Sequence, residues 1–128
     1  MRQLMAWCFS VCNFIALVLL WPSLAQAQIS GQKVKIGVLT DLAGPYEQNS
    51  GAGSVEAAMM AAEEFGNKIN GAPIEIVSAD HQNKPDVGAS IARHWFDLDG
   101  VDAVTDLVNS GVAFAVLEIA KANNKAVP

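Results

Sequence analysis

Cysteine and positive charge are both scarce in this sequence, and each shortage excludes a class of protein. Cys8 and Cys12 are the only cysteines, so the chain after residue 27 has none and cannot be a disulfide-stapled scaffold. Thirteen acidic residues stand against eight lysines and arginines, which argues against a nucleic-acid partner, because such a partner needs a basic stripe. His81 and His94 are isolated and lack ligand spacing, so we expect no metal site and no cofactor.

The first 27 residues have the order of a secretory signal peptide. Arg2 supplies a small positive charge, the apolar core is densest at residues 14–21, and Ala25-Gln26-Ala27 fits a cleavage site. We therefore predict cleavage after Ala27 and export from the cytoplasm. A retained membrane anchor is the alternative, because residues 4–21 are almost long enough to span a bilayer.

After Gln28, short runs of β-branched residues alternate with helical stretches, and no internal repeat or long linker interrupts them. Strands that are separated by single helices run parallel and are joined by right-handed crossovers. We therefore predict the α/β class, with a doubly wound parallel sheet in one domain. The predicted strands cover residues 34–40, 74–79 and 101–108, a fourth starts at 125–128, and helices start near Ser54, at Pro85 and near Ser110.

Apolar residues at helical spacing predict a buried stripe on each helix. Trp95 continues the stripe of the second helix, so we expect Trp95, Phe96, Met59 and Met60 in the core, with no ligand role. The three predicted stripes are Val55, Ala58, Met59, Ala62 and Phe65; Val87, Ile91, Trp95 and Leu98; and Val112, Ala113, Val116, Leu117 and Ala120.

Polar residues and glycines follow the carboxyl ends of the predicted strands, where ligands bind in doubly wound sheets. The turn after the first strand carries Tyr46 and Asn49, and Asn109-Ser110-Gly111 starts the third helix on the same edge. Helix amino termini attract carboxylates. A solvated loop is the alternative for the turn, and a plain helix N-cap is the alternative for Ser110.

Dinucleotide binding is one competing hypothesis for this edge. Gly51-Ala52-Gly53 precedes a helix, and Asp80 ends the next strand, where a ribose-binding acid would lie. However, the glycines follow the strand by about ten residues, whereas a dinucleotide site needs them in the first tight turn. The position of the third glycine is taken by Glu56.

Serine hydrolysis is the second competing hypothesis. Asp41, His81 and Ser110 follow three successive strands and could meet on one edge. Ser110 lacks the sequence of a nucleophile elbow. We therefore interpret His81, which precedes Gln82 and Asn83, as a surface or hydrogen-bonding residue and expect no catalysis.

Residues 33–128 resemble the type I periplasmic solute-binding proteins of ABC transporters, the family that includes the leucine/isoleucine/valine-binding proteins. The most specific part of the resemblance is Asp80 to Arg93, which reads DHQNKPDVGASIAR. The sequence of this segment resembles that of family members that bind branched-chain or aromatic organic acids more closely than that of the leucine binder. The other matching segments are VKIGVLTD at 34–41, Gly44-Pro45, GSVEAA at 53–58 and Asn70-Gly71.

This resemblance implies a two-lobed receptor, without catalysis, that closes on an amino acid or a similar small carboxylate and delivers it to a membrane permease. Residues 28–128 would form the amino-terminal part of the first lobe of a truncated periplasmic protein. The implied ligand-binding residues are Tyr46, Asn49, Asn109, Ser110 and Gly111, of which Ser110 aligns with a serine that holds the ligand carboxylate. The leucine binder has a serine run where this chain has Asn109-Ser110-Gly111-Val112, which counts against leucine. A ligand-sensing domain of the same fold is a further alternative.

Overall fold

A computed structural model describes residues 32–128 of the chain. The predicted signal peptide, its cleavage site and the alternative membrane anchor all lie outside the described residues. Within the described range, each helix falls short of the length and apolar character that a membrane span requires.

In the described part of the chain, four strands form a single sheet in the order β2-β3-β1-β4. β1 lies at the centre and pairs in parallel with β3 and with β4, whereas β2 and β3 form an antiparallel hairpin. The parallel pairs confirm the predicted α/β class. The strands are β1 (Val34–Thr40), β2 (Lys68–Ile69), β3 (Ala72–Asp80) and β4 (Ala103–Thr105).

Within residues 32–128, three helices connect and follow these strands: α1 (Gly51–Glu64), α2 (Pro85–His94) and α3 (Ser110–Ala122), with a π-helical turn at Trp95–Asp99 directly after α2. The chain moves one way along the sheet from β1 to β3 and the opposite way from β3 to β4. Right-handed crossovers therefore place α1 and α2 on opposite faces. α3 packs against α2. We call the face under α2 and α3 the covered face, and the face under α1 the open face.

The core lies between the covered face and helices α2 and α3. Gly37 makes close packing possible, because a Cβ at that position would lie 2.4 Å from Cζ3 of Trp95. Trp95 and Phe96 are each only 7% exposed, which confirms their predicted place in the core. The buried cluster also contains Leu39, Ala89, Ala92, Val101, Val104, Val112, Val116, Ile119 and Ala120.

The predicted burial of the largest apolar residues of α1 is wrong, whereas Val55 and Ala58 of the predicted stripe are half-buried. Met59, Met60 and Phe65 are 43%, 53% and 71% exposed, and Ala62 is the buried member of the stripe. No second helix packs beside α1 within residues 32–128, so the outer side of its apolar stripe faces solvent. An apolar groove of about 340 Å³ lies between α1 and the open face, lined by Ile36, Ala58, Ala61, Ala62, Phe65, Ile69, Ile74 and Ile76.

The predicted burial of two residues in the other stripes is also wrong. Leu98 is 74% exposed, because the π-helical turn shifts the residues after His94 out of the register of α2. Leu117 is 41% exposed, and Ile119 is buried in its place together with Val112 and Val116.

Four predictions about the strands and helices need correction as well. β4 is shorter than the predicted strand at 101–108, because Asp106 takes a left-handed conformation with φ of 64°. α1 begins at Gly51, three residues before the predicted Ser54. β2 was not predicted, although Asn70-Gly71, with φ of 51° and 88°, is a strong hairpin signal. The predicted start of a fourth strand is a single parallel bridge between Ala103 and Ala126.

Candidate functional site

The candidate site is the edge of the sheet at which the parallel strands end. The register between β1 and β3 pairs Thr40 with Asp80, so both strands stop at the same level. The turn after β1 and the loop after β3 therefore leave from one edge. β4 runs parallel to β1, so the start of α3 lies at that edge too. Both predicted groups of ligand-binding residues are thus on the same side of the lobe.

A buried carboxylate organises the turn after β1. Asp41 is fully buried, and its Oδ2 accepts a hydrogen bond of 2.9 Å from the backbone N–H of Tyr46. Gly44 lies so close to this carboxylate that a Cβ there would be 2.4 Å from Asp41 Oδ1. The carbonyl of Tyr46 in turn accepts from the N–H groups of Asn49 at 2.9 Å and of Ser50 at 3.0 Å. Asp41 therefore fixes the turn that carries the half-buried Tyr46 and the exposed Asn49.

Gly51, the first glycine at the start of α1, does not have a free N–H for an anion. The N–H of Gly51 donates to Thr40 Oγ1 at 2.9 Å, and both residues are buried. This bond ties the first turn of α1 to the end of β1. It commits the amide that a dinucleotide phosphate would need, so the geometry disfavours the dinucleotide hypothesis.

The loop after β3 is organised by His81, which is fully buried. Its backbone N–H donates to Thr40 O at 2.9 Å, and its Nδ1 accepts from the N–H of Asn83 at 3.0 Å. Gln82 and Asn83 both take left-handed conformations, with φ of 52° and 54°. The predicted hydrogen-bonding role of His81 is confirmed, whereas the predicted surface position is wrong. The imidazole lies beneath the backbone of this tight loop, so His81 is enclosed.

Asn109, and not Ser110, caps α3. The side-chain Oδ1 of Asn109 accepts from the N–H of Val112 at 3.0 Å, which is the N-cap contact. The Nδ2 of Asn109 donates to Oδ1 of Asn83, so the loop after β3 is joined to the start of α3. Explaining Ser110 as a plain N-cap is therefore wrong. Ser110 and Gly111 are exposed in the first turn of α3.

Asp41, Asp80 and His81 form a compact cluster below this surface. Each offers one oxygen or nitrogen atom, and these atoms lie within 4.8 Å of one another. Asp41 Oδ1 and His81 Nε2 are buried, with no hydrogen-bond partner among residues 32–128. Because Nδ1 accepts a hydrogen bond, we infer that Nε2 of the neutral imidazole carries the proton. A protonated Nε2 has no lone pair for a cation, so the cluster is poorly arranged for a metal ion.

The same proton also disfavours serine hydrolysis. A catalytic histidine needs an unprotonated nitrogen that faces the serine hydroxyl. The unprotonated nitrogen of His81 instead faces the amide of Asn83. Asp41 and His81 are buried, whereas Ser110 is exposed, so the structure joins two members of the proposed triad and leaves out the third.

The carboxylate of Glu75 has a shifted pKa, and it belongs to the sheet and not to the candidate site. Lys33 Nζ donates to Glu75 Oε2 at 2.5 Å, and this hydrogen bond lowers the pKa of Glu75 below its usual value. Lys35 Nζ lies 3.8 Å from Oε1 of the same carboxylate and adds to the effect. Glu75 pairs with Lys35 near the start of β1, away from the edge at which the strands end.

Sequence reasoning missed the parts played by Asn83 and Asn109. Asn109 was expected to bind ligand and Asn83 was given no role, yet the two side chains bond to each other and hold the start of α3. Two adjacent polar residues before a helix do not reveal which one caps it, so Asn109 and Ser110 could not be separated from the pattern alone.

Comparison with known proteins gives a consistent result. Residues 33–127 match a family described as periplasmic binding protein. A branched-chain amino acid ABC transporter periplasmic ligand-binding protein from Burkholderia xenovorans is 49% identical over 74% of this chain and 25% of its own, with a TM-score of 0.72. A periplasmic binding protein from Burkholderia mallei is 43% identical over 75% of this chain and 26% of its own, with a TM-score of 0.70.

A more distant structure has the same fold. An ABC-type branched-chain amino acid transporter from Rhodopseudomonas palustris is 28% identical over 74% of this chain and 26% of its own, with a TM-score of 0.62. A search of curated proteins finds no match. The chain spans about a quarter of the length of the solved relatives. The family match over residues 33–127 and the two Burkholderia structures show that the chain belongs to the periplasmic binding protein family.

Proposed function

We propose that residues 28–128 form the amino-terminal part of the first lobe of an exported solute-binding protein of an ABC transporter, with no catalytic activity. The ligand would be a small carboxylate, either an amino acid of the branched-chain type or a related organic or aromatic acid. Tyr46 and Asn49 would line one side of the binding edge. Asn109, Ser110 and Gly111 would line the other side.

One observation carries this proposal: the turn after β1 and the start of α3 leave the sheet at the same edge. Each is held by a buried or capping side chain of its own, Asp41 for the turn and Asn109 for the helix. A carboxylate at the start of α3 would meet the free N–H groups of the first helical turn and the exposed hydroxyl of Ser110. Such an edge favours binding over catalysis, because its one imidazole is already engaged.

Asn109 and Gly111 are two of the five proposed residues, and each would contribute to binding through its effect on the start of α3. The side chain of Asn109 is committed to Val112 and Asn83, so its share in binding is to fix the helix start and offer backbone groups. Gly111 lets the start of α3 lie close to Asn109 and Pro85, because a Cβ there would lie 3.1 Å from Asn109 Oδ1 and 3.2 Å from Pro85 Cγ. A larger residue at position 111 would crowd the cap.

The ligand class is supported by family membership and by the chemistry of the edge. The Burkholderia xenovorans relative is described as a branched-chain amino acid transporter protein. The start of α3 offers donors and positive potential but no acidic side chain in its first turn. This arrangement suits the carboxylate that amino acids and aromatic acids share.

Export and a permease partner complete the proposal. The signal-peptide pattern, with cleavage after Ala27, agrees with a family that works in the periplasm. A solute-binding protein of this kind hands its ligand to a membrane permease. Cleavage is tested by sequencing the amino terminus of the exported protein. An intact residue 1 on the exported chain would contradict it.

The ligand class is tested with a chimera in which residues 33–127 replace the matching segment of the Burkholderia xenovorans protein. We expect calorimetry to detect binding of at least one member of a panel of L-leucine, L-isoleucine, benzoate and phenylacetate. Leucinamide, which has no carboxylate, serves as the matched control for L-leucine and should bind much more weakly. A folded chimera that binds none of the acids, or binds the amide equally well, would contradict the proposal.

A further inference from the structure

His81 is a large polar side chain that is completely enclosed, and the carboxylates of Asp41 and Asp80 lie within 4.8 Å of it. Its Cβ lies beneath the close contact of α2 and α3, 3.6 Å from the position that a Cβ on Gly88 would take. Burying an imidazole costs free energy unless its polar atoms are hydrogen-bonded. Nδ1 has such a bond, to the N–H of Asn83, so the useful contact of His81 is the one at Nδ1.

A continuous series of hydrogen bonds runs from this nitrogen to the start of α3. Nδ1 of His81 accepts from the backbone of Asn83, and Oδ1 of Asn83 accepts from Nδ2 of Asn109. Oδ1 of Asn109 accepts from the N–H of Val112. Three bonds therefore connect the buried imidazole to the cap of the helix whose next two residues, Ser110 and Gly111, are proposed to contact ligand.

Asn83 needs outside support to hold its place in this series. Its φ of 54° is in the left-handed region, which is unfavourable for residues other than glycine, although asparagine tolerates it better than most. Gln82 beside it has the same conformation. The loop is also held by the N–H of Gln82, which donates to Asp80 Oδ1 at 2.6 Å, and by the N–H of Lys84, which donates to His81 O at 2.9 Å. The bond from the N–H of Asn83 to His81 Nδ1 is the one that holds the amide of Asn83 itself.

We infer that His81 is a positioning residue for ligand binding, acting through Asn83 and Asn109 on the start of α3. The ligand-binding consequence rests on the proposed function, whereas the coupling between His81 and the helix cap does not. The acting atom is the unprotonated Nδ1. A histidine that served only to fill space would need bulk at this position, and no particular acceptor.

Three substitutions separate an acceptor from bulk. His81→Asn retains an acceptor oxygen close to the position of Nδ1. His81→Leu fills much of the same volume with no acceptor. His81→Gln carries the same amide one methylene further out, so its oxygen is misplaced for the amide of Asn83. The positioning role predicts that Asn is tolerated while Leu and Gln are not, whereas space filling predicts that Leu is tolerated best.

Amide hydrogen exchange on residues 28–128 measures the coupling without any ligand. In His81→Leu and His81→Gln we expect exchange at Asn83 and Val112 to be faster by about tenfold, as for the loss of one hydrogen bond. In His81→Asn we expect both amides to stay within about threefold of the original chain. The N–H of Ile74, which bonds to Asn67 O away from this edge, corrects each variant for its overall stability.

Two results would overturn the inference. One is equal protection of Val112 in the Leu and Asn variants after correction by Ile74. The other is faster exchange at Asn83 with no change at Val112, which would end the series before the helix cap. In the chimera with the Burkholderia xenovorans protein, the same variants should rank Asn above Gln and Leu in affinity for the acid that binds. Because the exchange experiment contains no ligand, its failure overturns the positioning role alone, and a chimera without affinity for any acid overturns the proposed function alone.

Discussion

The two faces of the sheet differ sharply in how completely their apolar residues are buried. On the covered face, Leu39 and Val104 are inaccessible and Trp95 is 7% exposed beneath α2 and α3. On the open face, α1 leaves Phe65 71% exposed beside an apolar groove. Both faces carry apolar residues at the right periods. The direction of the crossovers, and not the pattern of apolar residues, decides which face receives two helices and which receives one.

The largest expected difference in the free energy of unfolding is between two variants that each lose a large side chain, one from each face. Trp95→Ala empties the centre of the covered face and should lower the free energy of unfolding by about 3–5 kcal/mol. Phe65→Ala removes an exposed ring from the open face and should change it by less than about 0.5 kcal/mol. Urea denaturation of residues 28–128 measures both. Comparable losses in the two variants would show that the faces are equally packed.

Two matched glycine substitutions should have smaller effects on stability, and the two effects should have opposite signs. Gly37→Ala would place a Cβ 2.4 Å from Cζ3 of Trp95, and we expect this overpacking to cost about 1–3 kcal/mol. Gly53→Ala lies in α1, where a Cβ would meet nothing within 4 Å, and should stabilise the chain by about 0.5 kcal/mol. Thermal unfolding of the two variants checks the signs. A stabilising Gly37→Ala would mean that the ring of Trp95 moves aside freely.

The smallest expected effect lies at the rim of the covered face, where Glu75 bonds to Lys33. The pKa of Glu75 is lowered in the folded chain, so the pair stabilises the fold above the usual carboxyl pKa. That contribution is lost as the pH falls through the lowered value. We expect Glu75→Gln to reduce the melting temperature slightly at pH 7, and to reduce it less at pH 3. Glu118→Gln on α3 is the control, and an equal change at both pH values would rule out the linkage.

The alternation of strands and helices was enough to predict the α/β class and to predict that the turn after β1 and the start of α3 share one edge of the sheet. It also identified Trp95 as core, because a bulky apolar residue at helical spacing needs cover. The same reasoning failed for α1, since an apolar stripe at Met59 and Phe65 shows which side of a helix would be buried and not whether anything covers it. The π-helical turn that exposes Leu98 has no signal in the apolar pattern.

The inner organisation of the candidate site could not be predicted, because it depends on contacts between distant parts of the chain. Burial of His81 follows from the meeting of the loop after β3 with α2 and α3. The choice of Asn109 over Ser110 as the cap follows from the bond between Asn109 and Asn83, which are far apart in sequence. Residue types that favour turns and caps indicated the edge, but tertiary packing assigned the roles within it.

Ser110 is the most direct test of whether the start of α3 holds a ligand carboxylate, which is the central claim. In the chimera with the Burkholderia xenovorans protein, calorimetry should show that Ser110→Ala weakens binding of the acid by about 1–3 kcal/mol, as for a lost hydrogen bond to a charged group. Ser90→Ala, an exposed serine on α2 away from this edge, should leave affinity unchanged. Equal affinity of the Ser110→Ala and Ser90→Ala chimeras would contradict the claim.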